Sequence, residues 1–273
     1  MTEPSRMSPI SDTAFFCCGI RELDAESQYP ICNDVYAKNF MTEQGRKAFK
    51  KYNPGYLARG LNYVRPKIID DYVTERLKIN PKLKIILIGA GFDSRAYRLA
   101  GGDWIEIDDA AVIDHKNYHL PIECCPNPLK RIPIDFSKDN MADILNKSVG
   151  TQEHLYIVEG VFMYLEVAEI KSLLNAIKMT SSSHTLICDL MTHSFINKFA
   201  KPSKKLFDDS GAVIKCQTDQ PESLFLERGY SLIKEQSIAL SAIKYGAINI
   251  PQFLVLRAMR RGFRVMLFEL VYK

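Results

Sequence analysis

The sequence predicts an α/β protein: a doubly wound, Rossmann-like parallel sheet behind a helical N-terminal region, with an inserted lid. Between residues 84 and 190, five short and strongly apolar runs each end at or near Gly, Asp or Glu, and most are followed by a loop and a helical pattern. The first 80 residues instead space their apolar side chains at helical intervals. The short runs are apolar at successive positions, as strands buried on both faces require, and β-α-β alternation favours a parallel sheet. With 273 residues, 47% apolar and 25% charged, the chain can bury a full core. That composition excludes disorder, collagen and coiled coil.

In chain order, residues 13–26 form an amphipathic helix behind Ser11-Asp12, and 35–51 continue as a second. Residues 63–77 place Val64, Ile68, Ile69, Tyr72, Val73 and Leu77 on one helical stripe, where Pro66 fits only a first turn. Strands follow at 84–88 (closed by Gly89), 104–107 (Asp108), 132–134 (Asp135), 154–158 (Glu159) and 185–190 (with Asp189 near its end). Helices lie at 109–119, 141–147 and 167–180. Two more strands are expected at 230–240 and 263–272, and 241–259 stays ambiguous. Residues 197–227 are polar, carry Lys198, Lys201, Lys204 and Lys205, and lack a clean period, so a lid at about 191–229 is expected. The division is a helical cap at 1–80 and an α/β domain at 81–273.

The formal charge of +4 is too small to announce nucleic acid as a partner. Residues 253–273 hold Arg257, Arg260, Arg261, Arg264 and Lys273 against Glu269, an excess as large as the whole chain's, and read as a solvated turn between strands or as a local basic rim. Seven cysteines, odd in number and without C-x-x-C spacing, fit reduced thiols in a cytoplasmic protein. No run approaches the roughly 18 apolar residues of a membrane span, and residues 1–9 lack a leader pattern, so no membrane partner is expected. His115 and His119 have metal-like spacing but no third ligand, so they read as an exposed helix face without a metal.

Ligands of doubly wound sheets sit beyond the carboxyl ends of the strands. Those ends carry Gly89-Ala90-Gly91, Asp108, Asp135 and Glu159. Glycines let the backbone turn and approach a ligand, although Gly-x-Gly alone is a weak signal. The third glycine of the dinucleotide fingerprint is absent, and Asp93 would repel a pyrophosphate. The pattern therefore favours a ligand without phosphates, such as S-adenosyl-L-methionine. Asp108, 19 positions after Gly89, suits the two hydroxyls of a ribose, or it caps the following helix. Asp135 with Phe136 suits an adenine edge and face, or a plain turn. Glu159 can neutralise an ammonium, or pair with a local cation.

Ile86-Leu87-Ile88-Gly89-Ala90-Gly91-Phe92-Asp93-Ser94-Arg95-Ala96-Tyr97-Arg98-Leu99, Glu106-Ile107-Asp108 with Lys116, and Glu159-Gly160-Val161-Phe162-Met163-Tyr164-Leu165 resemble successive motifs of the leucine carboxyl methyltransferase family. Thr13-Ala14-Phe15-Phe16 through Arg21, Asp34-Val35-Tyr36-Ala37 and Gly45-Arg46 are similar to its bacterial branch, which is related to the tetracenomycin carboxyl methyltransferase. The resemblance runs from about Ser11 to Leu190. It implies a class I O-methyltransferase fold and S-adenosyl-L-methionine as cofactor. By position it assigns Arg59 to the methionine carboxylate, Gly89 to a backbone contact, Asp108 to the ribose, Asp135 to the adenine and Glu159 to the methionine amino group. Lys38, Ala90, Gly91, Asp93, Arg95, Phe136 and Gly160 complete the implied cofactor set, with Tyr164 and Arg21 at the acceptor. The family's usual proline after Asp34 is replaced by Val35.

The expected reaction is methyl transfer to an oxygen nucleophile, with a small-molecule, polyketide-like acid as acceptor. A carboxylate is already anionic at neutral pH, whereas a phenol needs a general base that the sequence does not assign. The alternatives are a protein C-terminal carboxylate as acceptor and an NAD-dependent oxidoreductase. Oligomeric state is not readable from the sequence.

Overall fold

Continuous burial along the inner strands sets the architecture. In the computed structural model, residues 9–52, 55–150, 153–180 and 183–271 are described. The expected leaderless start falls largely outside them, as does Tyr272 at the end of the last expected strand. Helices α1 (Pro9–Ala25), α2 (Ala37–Phe40), α3 (Glu43–Tyr52) and α4 (Tyr56–Ile79) precede β1 (Lys84–Ile88). Then come α5 (Arg95–Arg98), β2 (Asp103–Asp109), α6 (Ala110–His119), β3 (Leu129–Ile134), α7 (Met141–Ser148), β4 (His154–Val158), α8 (Val167–Thr180) and β5 (Ser183–Met191). The chain continues through α9 (His193–Phe199), α10 (Lys201–Ser210), α11 (Ser223–Leu226), β6 (Ser231–Ser237), α12 (Ile238–Lys244), α13 (Arg257–Gly262) and β7 (Phe263–Val271).

The seven strands form one sheet in the order 3-2-1-4-5-7-6, parallel except for β7, which runs antiparallel to β5 and β6. Ile85 and Leu87 of β1, Leu155 and Ile157 of β4 and Val265 and Leu267 of β7 enter one hydrophobic cluster. Ile86 and Ile88, Tyr156 and Val158, and Met266 and Phe268 enter the other. Both faces are thus covered, the first by α1, α4, α6 and α12, the second by α7, α8 and α11, as the unbroken apolar runs demand. The strand order reverses between β1 and β4, so the crevice for a ligand opens beyond their carboxyl ends.

Three departures from the sequence expectation have local causes. The expected helix at 35–51 is two helices, because the Thr42 hydroxyl accepts from the Gly45 amide at 3.2 Å and starts α3 anew. Pro66 lies inside α4, not in its first turn, since the helix begins at Tyr56. The missing amide is offset by burial of Val64, Ile68, Ile69, Val73 and Leu77 against the sheet. The strand expected at 230–240 stops at Ser237, whose hydroxyl accepts from the Leu240 amide at 3.4 Å and caps α12.

Candidate active site

The sheet's carboxyl edge opens into one cavity of about 1040 Å³, large enough for a nucleoside-sized ligand together with a second molecule. Its floor is the turn after β1. The Gly89 and Ala90 amides donate to the Ile107 carbonyl at 2.9 and 3.2 Å, drawing the turn against β2. The Gly91 amide donates to Asp108 Oδ2 at 2.6 Å, and the Asp109 amide to Asp108 Oδ1 at 2.7 Å. Gly89 has φ +71°, and a Cβ there would meet Val161 Cγ2 at 2.4 Å, so no other residue fits.

Asp108 is 8% exposed, and burial pushes its carboxyl up to about 6 against the lowering effect of its two amide donors. Behind it, Glu106 is fully buried and pairs with Lys116 at 2.7 Å and Arg131 at 2.9 Å, fixing the second strand's end from below.

On the other side of the turn runs a continuous buried chain of ion pairs. Arg21 pairs with Asp34 at 2.9 Å, and Asp34 accepts from the Ser94 hydroxyl at 2.5 Å and lies 3.5 Å from Arg98. Arg98 and Arg95 share Asp70 at 2.8 and 2.5 Å. Arg95 also pairs with Asp93, and at 2.8 Å with Glu159. Arg65 joins Glu159 at 2.9 Å to Asp189 at 3.2 Å, and Asp189 accepts from the Gly160 amide at 2.5 Å. Burial alone would raise the Glu159 carboxyl, but Arg95, Arg65 and Arg21 prevail and hold it at about 2. Glu159 therefore meets its charge within the chain while still lining the cavity.

Of the residues expected at the site, Arg21, Gly89, Ala90, Gly91, Asp93, Arg95, Asp108, Asp135, Phe136, Glu159, Gly160 and Tyr164 all line this cavity. Asp135 is half-exposed and already engaged by Lys138 at 2.7 Å and by the Ser137 hydroxyl and amide, which hold it at about 2. Phe136 presents an exposed ring beside it.

Two of the residues expected at the site lie off this cavity. Arg59 does not line the cavity: the lining face of α4 is Leu57, Ala58, Leu61, Asn62 and Arg65, a helical stripe from whose centre Arg59 is turned by about 100° or more. Lys38 is exposed on α2 and also lies off the cavity.

Sequence reasoning missed Arg65, which that helical stripe marks once α4 is known to begin at Tyr56. Its Nη2 donates to the Cys17 sulfur at 3.3 Å, a weak acceptor. His115 is corrected as well. It is buried, donates to the Phe40 carbonyl at 2.9 Å and packs on Phe15 and Phe92, and burial lowers it to about 4. Among the described residues, no group of three or more His, Cys, Asp or Glu is placed to hold a metal.

The far side of the cavity is apolar. Phe16, Met163, Tyr164, Phe207 and Ile214 pack as one cluster, and Phe195 and Phe199 of α9 and Ser203 of α10 also line the space. The region expected as a lid thus contributes wall to the cavity. Burial pushes the Tyr164 phenol up, so it stays protonated. Across the whole lining, Asp93, Asp108, Asp109, Asp135, Asp139, Asp143, Glu159 and Glu169 face four cations, Arg21, Arg65, Arg95 and Lys215.

A profile of the family described as leucine carboxyl methyltransferase matches residues 14–178, more than half of the chain. The chain belongs to the leucine carboxyl methyltransferase family. The match covers most of α1 through most of α8, and so includes the carboxyl ends of β1, β2, β3 and β4. Among relatives, a protein of Mycolicibacterium smegmatis is 30% identical over 173 residues, 57% of this chain and 58% of its own length. One from Frankia alni is 26% identical over 194 residues, 64% of this chain and 66% of its own. The names of both provisionally assign them as S-adenosyl-L-methionine-dependent methyltransferases. This chain therefore matches less than two thirds of the length of these family relatives.

The fold recurs in a DUF574 family protein of Streptomyces avermitilis (TM-score 0.57, 10% identity, 92% of this chain and 95% of that one). It recurs also in the magnesium protoporphyrin IX methyltransferase of Synechocystis PCC 6803, solved with bound SAH (TM-score 0.52, 13% identity, 85% and 96%). The sheet is that of class I methyltransferases.

Proposed function

We propose that the protein transfers a methyl group from S-adenosyl-L-methionine to the carboxylate of a small acid with an apolar body. The observation that carries this reading is the cavity's division into a carboxylate-rich shelf at the strand ends and an apolar lobe without a base. A lining with twice as many carboxylates as cations favours a cationic sulfonium ligand and opposes the pyrophosphate of a dinucleotide. Family membership and the names of the relatives support the same cofactor.

When bound, the cofactor supplies an electrophilic methyl on a positively charged sulfur. In this reading Gly89 and Gly91 keep the floor low, and Asp108 accepts from the ribose hydroxyls. Asp135 and Phe136 flank the base, and Glu159 faces the methionine ammonium. Arg65 takes the role expected of Arg59, since a carboxylate is a far better acceptor for its Nη2 than a thiol sulfur.

The lobe side offers Phe16, Met163, Tyr164, Phe195, Phe199 and Phe207, with no histidine or carboxylate among them. Tyr164 holds its proton, and among the described residues of that apolar cluster there is no histidine, aspartate or glutamate to remove one from an acceptor. An acceptor already ionised needs only alignment and exclusion of water, which is what an apolar wall provides. A peptide C terminus carries the same carboxylate, but an apolar lobe suits a compact aromatic or alkyl acid better.

The test is transfer from methyl-labelled S-adenosyl-L-methionine to a panel of aryl and alkyl carboxylic acids and matched phenols. The expected product is a methyl ester that releases labelled methanol in base. Label found only in base-stable ethers, or transfer to no member of the panel, would overturn the reading.

A further inference from the structure

Residues 236–268 contain no aspartate or glutamate, yet carry Lys244, Arg257, Arg260, Arg261 and Arg264. Arg264 is buried and paired with Glu222 at 2.9 Å and Glu235 at 2.7 Å. Arg257, Arg260 and Arg261 are exposed, and among the described residues no carboxylate lies within ion-pair distance of them. Immediately before them, Phe253 is 85% exposed, Leu254 56% and Leu256 61%. Single exposed apolar residues are ordinary. Three within four positions, adjoining three unpaired arginines, are not.

The turn that presents them is anchored. Val255 and Met259 are buried in the core cluster shared with α4 and the sheet. The Val255 amide donates to the Gln252 carbonyl at 3.1 Å, and the Met259 and Arg260 amides donate to the Leu256 carbonyl at 2.9 and 3.0 Å. With Val255 and Met259 pointing inward, the residues between and before them are held outward. A phenylalanine this exposed projects from the surface instead of lining a groove, which suits entry into a soft apolar phase over docking on a rigid partner.

We propose that residues 251–261 are a docking face for an anionic lipid bilayer. Phe253, Leu254 and Leu256 enter the headgroup boundary, and Arg257, Arg260 and Arg261 meet the lipid phosphates. Apolar side chains beside a cationic cluster are the pattern of interfacial binding, in which the charges select anionic surfaces and the apolar groups add depth. The attachment is peripheral, since no described helix is long and apolar enough to cross a membrane. This departs from the absence of a membrane partner expected from the sequence.

The experiment is co-sedimentation of the full chain with vesicles of phosphatidylcholine alone and of phosphatidylcholine mixed with phosphatidylglycerol. Binding is expected to the mixed vesicles only and to fall with added salt. Arg257→Gln with Arg260→Gln and Arg261→Gln is expected to weaken it on the order of 100-fold, about fivefold per arginine. Phe253→Ser with Leu254→Ser is expected to weaken it at least about tenfold. Because all five side chains are exposed, the thermal midpoint of each variant should stay at the wild-type value, separating loss of docking from loss of fold. Absence of binding to the mixed vesicles, equal binding to neutral ones, or binding that survives both sets of substitutions overturns the proposal. So does self-association that the same substitutions abolish in a protein that binds no vesicles.

Discussion

The Gly91 amide donates to the Asp108 carboxylate at 2.6 Å, tying the turn after β1 to the end of β2. The same carboxylate takes the Asp109 amide at 2.7 Å, and among the described residues no cation sits in hydrogen-bonding range of either oxygen. Burial therefore leaves Asp108 with a carboxyl at about 6, far above the 3.8 of an ordinary aspartate.

A pH profile follows. In the proposed reading Asp108, ionised above about 6, accepts fully from the ribose hydroxyls, and below that value it gains a proton and loses an acceptor. Affinity for S-adenosylhomocysteine, measured by calorimetry, should be flat above pH 7 and fall by about tenfold towards pH 5. In Asp108→Asn the affinity should be lower throughout and the step near pH 6 absent.

Glu159 has the opposite sign. Its folded carboxyl, at about 2, lies below the ordinary 4.5, so it stabilises the fold above pH 4.5, and that contribution disappears as pH falls from 4.5 towards 2. Glu159→Gln leaves Arg65 and Arg95 short of a buried partner. Urea unfolding at pH 7 should show a loss of about 3 kcal/mol, and the gap to wild type should narrow at pH 3.

Two glycines separate backbone strain from crowding. Gly89→Ala meets both φ +71° and Val161 Cγ2 at 2.4 Å, whereas Gly160→Ala meets the same φ but only Arg65 Nη1 at 3.5 Å. Gly160→Ala should cost about 1–2 kcal/mol by chemical denaturation and Gly89→Ala distinctly more. Adding Val161→Ala should recover part of the second loss and none of the first.

The two arginines of α4 should divide cleanly. Arg59→Ala should leave the dissociation constant for S-adenosylhomocysteine within about twofold of wild type, because its side chain lies off the lining face. Arg65→Lys keeps the charge but loses the fork shared by Glu159, Asp189 and Cys17. It should weaken binding by about tenfold or more.

The strand ends were legible in the sequence because each is local. Lys84–Ile88, His154–Val158 and Val167–Thr180 have the bounds their apolar runs predict, and Gly89, Asp108, Asp135 and Glu159 sit where those runs stop. The ion-pair chain was not legible, since Arg65 meets Glu159 across 94 positions and no spacing rule reaches that far. Arg59 lies off the cavity for a related reason. A motif fixes residue type, but the face of α4 depends on where the helix starts and on Pro66 being tolerated inside it. His115 was misread because its helix shows no clear apolar side, while α2 and the Phe15 and Phe92 rings cover it from elsewhere in the chain.

Calorimetric titration of S-adenosyl-L-methionine and NAD into wild type and Asp108→Ala tests the central claim most directly. The wild type should bind S-adenosyl-L-methionine and not NAD, and Asp108→Ala should weaken the former by about 10- to 100-fold with an unchanged thermal midpoint. Binding of NAD in preference, or S-adenosyl-L-methionine affinity indifferent to the loss of Asp108, would contradict the account.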